Sequence, residues 1–304
     1  MSDLSAIVVS YNTRELLRRC LASLYAAGAA DGLSVEAIVV DNASADGSAA
    51  MVTTEFPQAV LVASEHNLGF AAASNVGLAR AKGRYPLLLN PDTEVRPGAL
   101  AALVAFADGH PAAAAVGPSL VYGDGSPQRS CFRFPTVTMQ LIDLFPLHHR
   151  LLNSRLNGRY PLGRTRPFPV DHPLGACMLM RREAIAQLGP LDEGYFIYCE
   201  EVDWCWRAKK AGWQVYCVPA ATVVHHVAQS TRQFAEAMFV ELYRSRFRMF
   251  AKHYSPARRL AVRAVIRLGM ARLALCDCWS VARGRLPCSQ LRRRLRAYAA
   301  IARM

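Results

Sequence analysis

No stretch of the 304-residue chain reaches 18 uninterrupted apolar residues, which argues against a membrane-spanning helix. The opening Met-Ser-Asp-Leu-Ser has no basic n-region, so no signal peptide is expected. Nine cysteines are present without a Cys-x-x-Cys pair, and Cys276 and Cys278 stand too close for ordinary structural zinc spacing. That usage predicts reduced thiols in a cytosolic protein. No Gly-x-Gly-x-x-Gly follows the first apolar run, which argues against a nicotinamide or flavin enzyme. The absence of Gly-x-Ser-x-Gly and His-Glu-x-x-His disfavours serine hydrolase and zinc protease chemistry. Acidic residues run short towards the C-terminus: residues 232–304 hold only Glu236, Glu241 and Asp277 against 17 Lys and Arg. Residues 1–231 are balanced, 19 basic against 20 acidic, so the net charge of +13 belongs entirely to the tail.

What is present is ample core material, with 52% hydrophobic residues. Short apolar runs alternate with helix-length segments: strands at Ser5–Ser10, Val35–Val40, Ala59–Ala63, Leu87–Asn90 and Ala112–Gly117. Helices are expected over Thr13–Ala27 and Gly69–Lys82, with Asp46 capping another and Pro97 opening a fourth at its first turn. That alternation predicts an α/β domain on a mostly parallel sheet covered on both faces. Residues 122–170 read as an irregular excursion with a helix near Val137–Phe145. Order returns with a strand over Gly175–Met180 and helices over Arg182–Leu188 and from Glu200 to about Ala211. A last strand is expected around Trp213–Val218. The expected division is a catalytic domain over 1–231 and a basic amphipathic helical tail over 232–304.

In parallel sheets ligands collect beyond the carboxyl ends of the strands, so the polar residues there carry the functional reading. Asp41 ends the second strand, where a carboxylate can accept hydrogen bonds from a base or ribose; a turn with Ser44 would equally explain it. Asp92, in Asn90-Pro-Asp-Thr93, can hold a divalent cation against a diphosphate, though Pro-Asp also favours a simple turn. Glu200, Glu201 and Asp203 suit the dipole at a helix start. Two adjacent buried carboxylates can also supply a general base of raised pKa. Helical register sets Glu201 on one face with Cys205 and Ala208, a small-residue face that would let the helix start approach an acceptor closely. His225 can act as a further metal ligand, although most histidines are structural.

The order of these segments is their strongest signal. Ser5-Ala-Ile-Val-Val-Ser-Tyr-Asn12, Val39-Val-Asp-Asn-Ala-Ser44, Asn67-Leu-Gly-Phe-Ala71 with Asn75, and Leu88-Leu-Asn-Pro-Asp-Thr93 resemble family 2 glycosyltransferases. Gly189-Pro-Leu-Asp-Glu-Gly-Tyr-Phe196, Glu200-Glu-Val-Asp-Trp-Cys-Trp-Arg207 with Gly212-Trp213, and His225 with Ser230 continue the pattern. Together with Gly125-Ser-Pro and Arg133-Phe-Pro135, they are most similar to the bacterial rhamnosyltransferase-like branch. The resemblance implies a Rossmann-like nucleotide-sugar domain of GT-A type, a divalent cation (Mg or Mn) and inversion at the anomeric carbon. It further implies that Tyr11, Asn12, Asp41 and Asn67 bind the nucleotide. Asp92 with His225 would hold the metal, and Glu201 with Glu200 would form the catalytic pair. The chain departs from the family in having Glu201 where relatives usually carry Asp, and Asn90 where many carry a second acid.

The tail interleaves arginines with Leu260, Val265, Leu268, Leu275 and Trp279 at helical spacing, as in a helix lying on a membrane surface. The resulting expectation is a cytoplasmic enzyme, peripheral on the inner face of the plasma membrane. It would move a sugar, rhamnose in the branch it resembles, from a nucleotide-diphosphate donor to a glycan or lipid-linked acceptor in surface polysaccharide synthesis. Nucleic acid is not expected as a partner. The competing readings are a nucleotide-sugar-binding relative without transfer activity and a nucleic-acid-binding protein acting through the Arg-rich tail.

Overall fold

The structure is a computed structural model that describes residues 2–226 and 235–304; Ser230 and the expected boundary at 231–232 lie outside the described residues. The first elements are β1 (Leu4–Ser10), α1 (Arg14–Ala30), β2 (Val35–Asp41), α2 (Ser48–Glu55), β3 (Val60–Ala63), α3 (Phe70–Leu78) and β4 (Tyr85–Leu89). There follow β5 (Thr93–Val95), α4 (Ala99–Gly109), β6 (Ala113–Val121), β7 (Pro127–Gln128), β8 (Cys131–Phe132), α5 (Val137–Leu144) and α6 (His149–Leu152). Next come β9 (Phe168–Pro169), β10 (His172–Pro173), β11 (Cys177–Met180), α7 (Arg182–Leu188), α8 (Glu200–Lys210) and β12 (Gln214–His225). The chain ends in α9 (Ala235–His253), α10 (Pro256–Ala282) and α11 (Cys288–Arg303). Two compact units result, one of residues 2–134, 160–196 and 200–226, the other of 135–159, 197–199 and 235–304.

The first unit is a sheet in the order β3-β2-β1-β4-β11-β6-β12-β5. β3, β2, β1 and β4 are mutually parallel, as are β6 and β12. Strand faces sort the core. Leu4, Ala6 and Val8 of β1 pack with Leu17, Cys20, Leu21 and Leu24 of α1 and with Leu100 and Leu103 of α4. Ile7 and Val9 face the other way, into a core shared with Ala71 and Ala73 of α3 and Trp204, Cys205 and Ala208 of α8. This period of two in the strands and three to four in the helices is the pattern the sequence carries.

A strand's side-chain period is the same in either direction, so the sequence leaves the direction of β11 open; it runs antiparallel to both β4 and β6. Three local expectations change. β12 continues through a register shift between Val218 and Thr222 as far as His225, where it pairs with the unexpected β5. Asp46 is not the α2 cap; Gly47 is, while Asp46 accepts from Ser48 N–H at 3.0 Å and from Arg14 N–H at 2.8 Å, serving the start of α1. Pro97 lies outside α4, whose cap is Gly98, and Asp31 accepts from the Gly98 and Ala101 N–H groups.

In the second unit Leu144 of α5, Tyr243 and Phe250 of α9, Val262, Ile266 and Met270 of α10 and Ile301 of α11 form a separate core. The excursion at 135–159 thus contributes a helix to the same unit as the C-terminal helices.

α3 lies close on β1 at Gly77, where a Cβ would stand 2.4 Å from Ile7 Cγ2. Gly77→Ala should therefore lower unfolding stability by about 1–3 kcal/mol through overpacking. Gly109→Ala, with open space around its Cβ, should not lower it; chemical denaturation of the two variants checks this.

Candidate active site at the carboxyl edge of the sheet

β1, β2 and β4 end at one edge, with Ser10 in register with Asp41. Because β11 is antiparallel, its beginning lies at that edge too: the Asn90 N–H donates to the Ala176 carbonyl at 2.9 Å. Pairing of His225 with Thr93 brings the end of β12 to the same place. The strand order runs from β1 to β2 and β3 on one side and to β4 on the other, which makes this edge the switch point of the sheet.

On the β1–β2 side, Asn12 is left-handed at φ 53° and Ala43 at φ 67°, conformations that cost a non-glycine residue free energy and mark a constrained loop. The Asn12 N–H donates to Ser44 Oγ at 2.9 Å, and Asn12 Oδ1 accepts from Ala45 N–H at 2.8 Å. Tyr11 is half-buried beside it. Asp41 is buried; its Oδ2 accepts from Ser44 N–H at 3.1 Å, while Oδ1 has no hydrogen-bond partner. One Asp41 oxygen thus makes the turn with Ser44, and the other is left without a hydrogen-bond partner. Exposed Asn67 joins this side through buried Asn42, whose Nδ2 donates to Asn67 Oδ1 at 2.8 Å and whose Oδ1 accepts from Leu68 N–H at 2.8 Å.

Asp92 and His225 are brought together. His225 Nε2 stands 3.5 Å from Asp92 Oδ1, and its Nδ1 is 3.1 Å from Gln128 Oε1. An amide oxygen only accepts, so Nδ1 is the donor to Gln128 and Nε2 is the ring nitrogen turned towards Asp92. The separation exceeds an ordinary N–H···O bond. A carboxylate and an imidazole nitrogen facing each other, with the ring fixed from behind by an amide, are side chains of the type that can hold a hard or borderline divalent cation. The same backbone turn is tied down by His226 N–H donating to Asp92 O at 2.9 Å and by His226 Nε2 at 2.8 Å from Glu94 Oε1.

Glu200 and Glu201 start α8 directly after two left-handed residues, Tyr198 at φ 71° and Cys199 at φ 67°. Both carboxyls are buried, and each keeps an Oε2 without a hydrogen-bond partner. Burial, and then the charge of Glu201, push Glu200 well above the ordinary carboxyl range. Burial also raises Glu201, but backbone N–H groups of Glu201, Val202 and Gly175 donate to its carboxylate and oppose the rise. Gly175 lies against this carboxyl: a Cβ there would sit 3.5 Å from its carbon, an ordinary contact distance. The small-residue face is not turned towards an acceptor. Cys205 and Ala208 are wholly buried, with Cys205 Sγ 3.9 Å from Met178 Sδ, so they wedge α8 against β11. Asp203 is likewise structural, accepting from Arg207 Nε at 2.9 Å while the same guanidinium reaches the Leu188 and Pro190 carbonyls.

Asn42, Gln128 and Gly175 were not singled out as site residues from sequence. Asn42 adjoins Asp41 and was legible as a polar residue after a strand. Gln128 and Gly175 depend on long-range pairings, β7 on β6 and Ala176 beside Asn90, for which no local pattern exists.

A carboxyl group whose folded-state pKa is raised stabilises the fold fully below its ordinary pKa, and loses that contribution as pH rises through the raised value. Glu200→Gln should therefore melt higher than the wild type at neutral pH, with the difference closing below about pH 4.5, the ordinary glutamate value. Equal melting temperatures at neutral pH would contradict the buried, repelled state of Glu200.

The family model for Glycosyl transferase family 2 matches residues 5–189. An N-acetylglucosaminyl-diphospho-decaprenol L-rhamnosyltransferase of Mycobacterium tuberculosis is 31% identical over 288 residues, covering 89% of this chain and 92% of that protein. Among solved structures, a mannosyltransferase from Pyrobaculum calidifontis in complex with GDP-Man and Mn2+ aligns with a TM-score of 0.58 at 18% identity, over 99% of this chain and 85% of its own. GalNAc-T7 with UDP, GalNAc and Mn2+ aligns at 0.53 and 19% identity, over 74% of this chain and 44% of its own. At those identities the structural likeness concerns the fold, a GT-A glycosyltransferase sheet. The chain belongs to glycosyl transferase family 2 and is a glycosyltransferase.

Proposed function

We propose that the protein transfers L-rhamnose, with inversion, from a nucleoside-diphosphate donor to a sugar linked through diphosphate to a membrane lipid, in the synthesis of a bacterial surface polysaccharide. The observation that carries this reading is the match along nearly the whole length of both chains to the mycobacterial L-rhamnosyltransferase. The enzyme would act as a peripheral protein on the inner face of the plasma membrane, where such an acceptor is presented.

Each site residue then has a role. The free oxygen of Asp41 accepts from the ribose or base, beside Tyr11 and Asn12, and Asn67 closes this side through Asn42. Asp92 and His225 hold a divalent cation, Mg or Mn, with Gln128 fixing the imidazole. Bound there, the cation supplies positive charge against the departing diphosphate. The acceptor hydroxyl oxygen forms the new bond to the anomeric carbon, the old carbon–oxygen bond breaks with its electron pair going to the diphosphate, and the hydroxyl proton passes to Glu201.

Glu201 is assigned as the base because the Gly175, Glu201 and Val202 N–H groups favour its charged form. Glu200, burdened by burial and by that charge, keeps its proton and donates it in a hydrogen bond to the acceptor.

Radiolabelled sugar transfer tests these roles. Glu201→Gln should lower turnover by about 100-fold or more with donor affinity nearly intact, and Glu201→Asp should retain more activity than Glu201→Gln. Asp92→Ala should abolish most transfer. Asp41→Ala should raise the donor KM more than it lowers kcat, because its contact lies away from the bond exchanged. A fully active Glu201→Gln with an inactive Glu200→Gln would reverse the acid and base assignment.

A further inference from the structure

α10 has two unlike sides. Its inner side is ordinary, with Val262, Ile266, Gly269 and Met270 buried at spacings of three and four. On its outer side Leu260, Leu268, Leu275 and Trp279 are 69%, 64%, 72% and 55% exposed. At about 100° per residue these four fall within one sector of the helix, and exposed Ala264, Ala271 and Ala282 fill the gaps between them. Large apolar side chains are normally exposed singly. Here they make a strip roughly 30 Å long at 1.5 Å per residue.

The charges around the strip are of one sign. Arg263 and Arg267 border one side, and Arg283 borders the other with its guanidinium 3.6 Å from the Trp279 ring centroid. The single acid of the helix, Asp277, lies on the opposite side, engaged by Arg294 and Tyr298. The other two acids of the C-terminal helices, Glu236 and Glu241, each face an arginine, Arg293 and Arg244. Near its N-terminal end the strip meets a groove of about 340 Å³ walled by Phe247, Phe250 and Leu260, with Arg259 and Arg263 also lining it.

We infer that this outer face of α10 docks flat on an anionic phospholipid bilayer. Leu268, Leu275 and Trp279 enter the boundary between headgroups and acyl chains, and the bordering arginines meet lipid phosphates. Among the described residues no helix is long and apolar enough to cross a membrane, and α10 carries arginines along its length, so it lies in the plane of the interface. Charge decides the occupant. A second copy packed strip on strip would bring arginine borders together while each acid of the C-terminal helices already faces an arginine, whereas an anionic surface supplies counter-charge. The inference deepens the proposed function and rests on its membrane-borne acceptor, since docking would confine the enzyme to the surface that carries that substrate.

The test is co-sedimentation of the full chain with phosphatidylcholine vesicles, with and without phosphatidylglycerol, at low and high salt. Wild-type protein should bind the anionic vesicles, and salt should weaken the binding. The double variant Leu268→Glu/Leu275→Glu should lose about tenfold or more in partitioning while its thermal midpoint stays unchanged, because both side chains are exposed. Transfer to a water-soluble, short-chain acceptor should be equal in the two proteins. If neither protein transfers sugar while the vesicle result stands, the functional reading fails and the docking surface survives. Undiminished vesicle binding by the double variant would overturn the inference. So would a shift from dimer to monomer in the variant without any change in vesicle binding, or wild-type retention on DNA but not on vesicles.

Discussion

A carboxylate removed from water is destabilising unless a cation or several N–H donors face it. This chain does so repeatedly along one edge of its sheet, at Asp41, Asp92, Glu200 and Glu201. Elsewhere in the first unit its carboxylates behave conventionally: Asp203 lies under Arg207, and Glu55 and Glu15 meet Arg18. At the edge, oxygens of Asp41, Glu200 and Glu201 have no hydrogen-bond partner. In the function proposed above, ribose hydroxyls, an acceptor hydroxyl and a cation would complete such groups, and the unfavourable burial would become selectivity for those ligands.

Topology makes the concentration possible. Parallel β1, β2 and β4 deliver loops to one edge, as in any doubly wound sheet. The inverted β11 adds what parallel strands cannot: the start of a strand at the edge where the others finish. It sets the Gly175 N–H against the Glu201 carboxylate while Ala176 is bonded to Asn90, two residues before Asp92. β12 then ends on β5, so that His225 arrives over Asp92 with Gln128 behind it. The segments bearing Asp41, Asp92 and Glu201 are in this way tied to neighbouring backbone, and the buried Cys205–Met178 contact fixes α8 to the same strand.

Much of this was legible locally. The apolar runs of β1, β2 and β4, the polar residues just after them and the acidic start of α8 carry their own signals, and Asp41, Asp92, Glu200 and Glu201 all stand at the edge where those signals put them. The direction of β11 was not legible, because Cys177–Met180 alternates identically whichever way it pairs. β5 is three residues long and has no run to read. Asp46 is a subtler case. Its side chain accepts from the first N–H of α2 and also from that of α1, 32 positions back, while Gly47 takes the cap position and the left-handed turn into α2. The face of α8 bearing Cys205 and Ala208 was assigned to the acceptor from size alone, whereas small buried residues serve equally well to bring a helix close to a sheet.

The central claim is that the two glutamates at the start of α8 are held differently: burial and the neighbouring charge push Glu200 well above the ordinary carboxyl range, whereas backbone N–H donors oppose the rise at Glu201. Isotope-edited infrared spectroscopy of glutamate-labelled protein reads this directly, since a protonated buried carboxyl has a carbonyl stretch that a carboxylate lacks. The account predicts a protonated-carboxyl band that persists above the ordinary carboxyl range, is lost there in Glu200→Gln and is retained in Glu201→Gln. Absence of the band from the wild type, or its loss only in Glu201→Gln, would contradict the account.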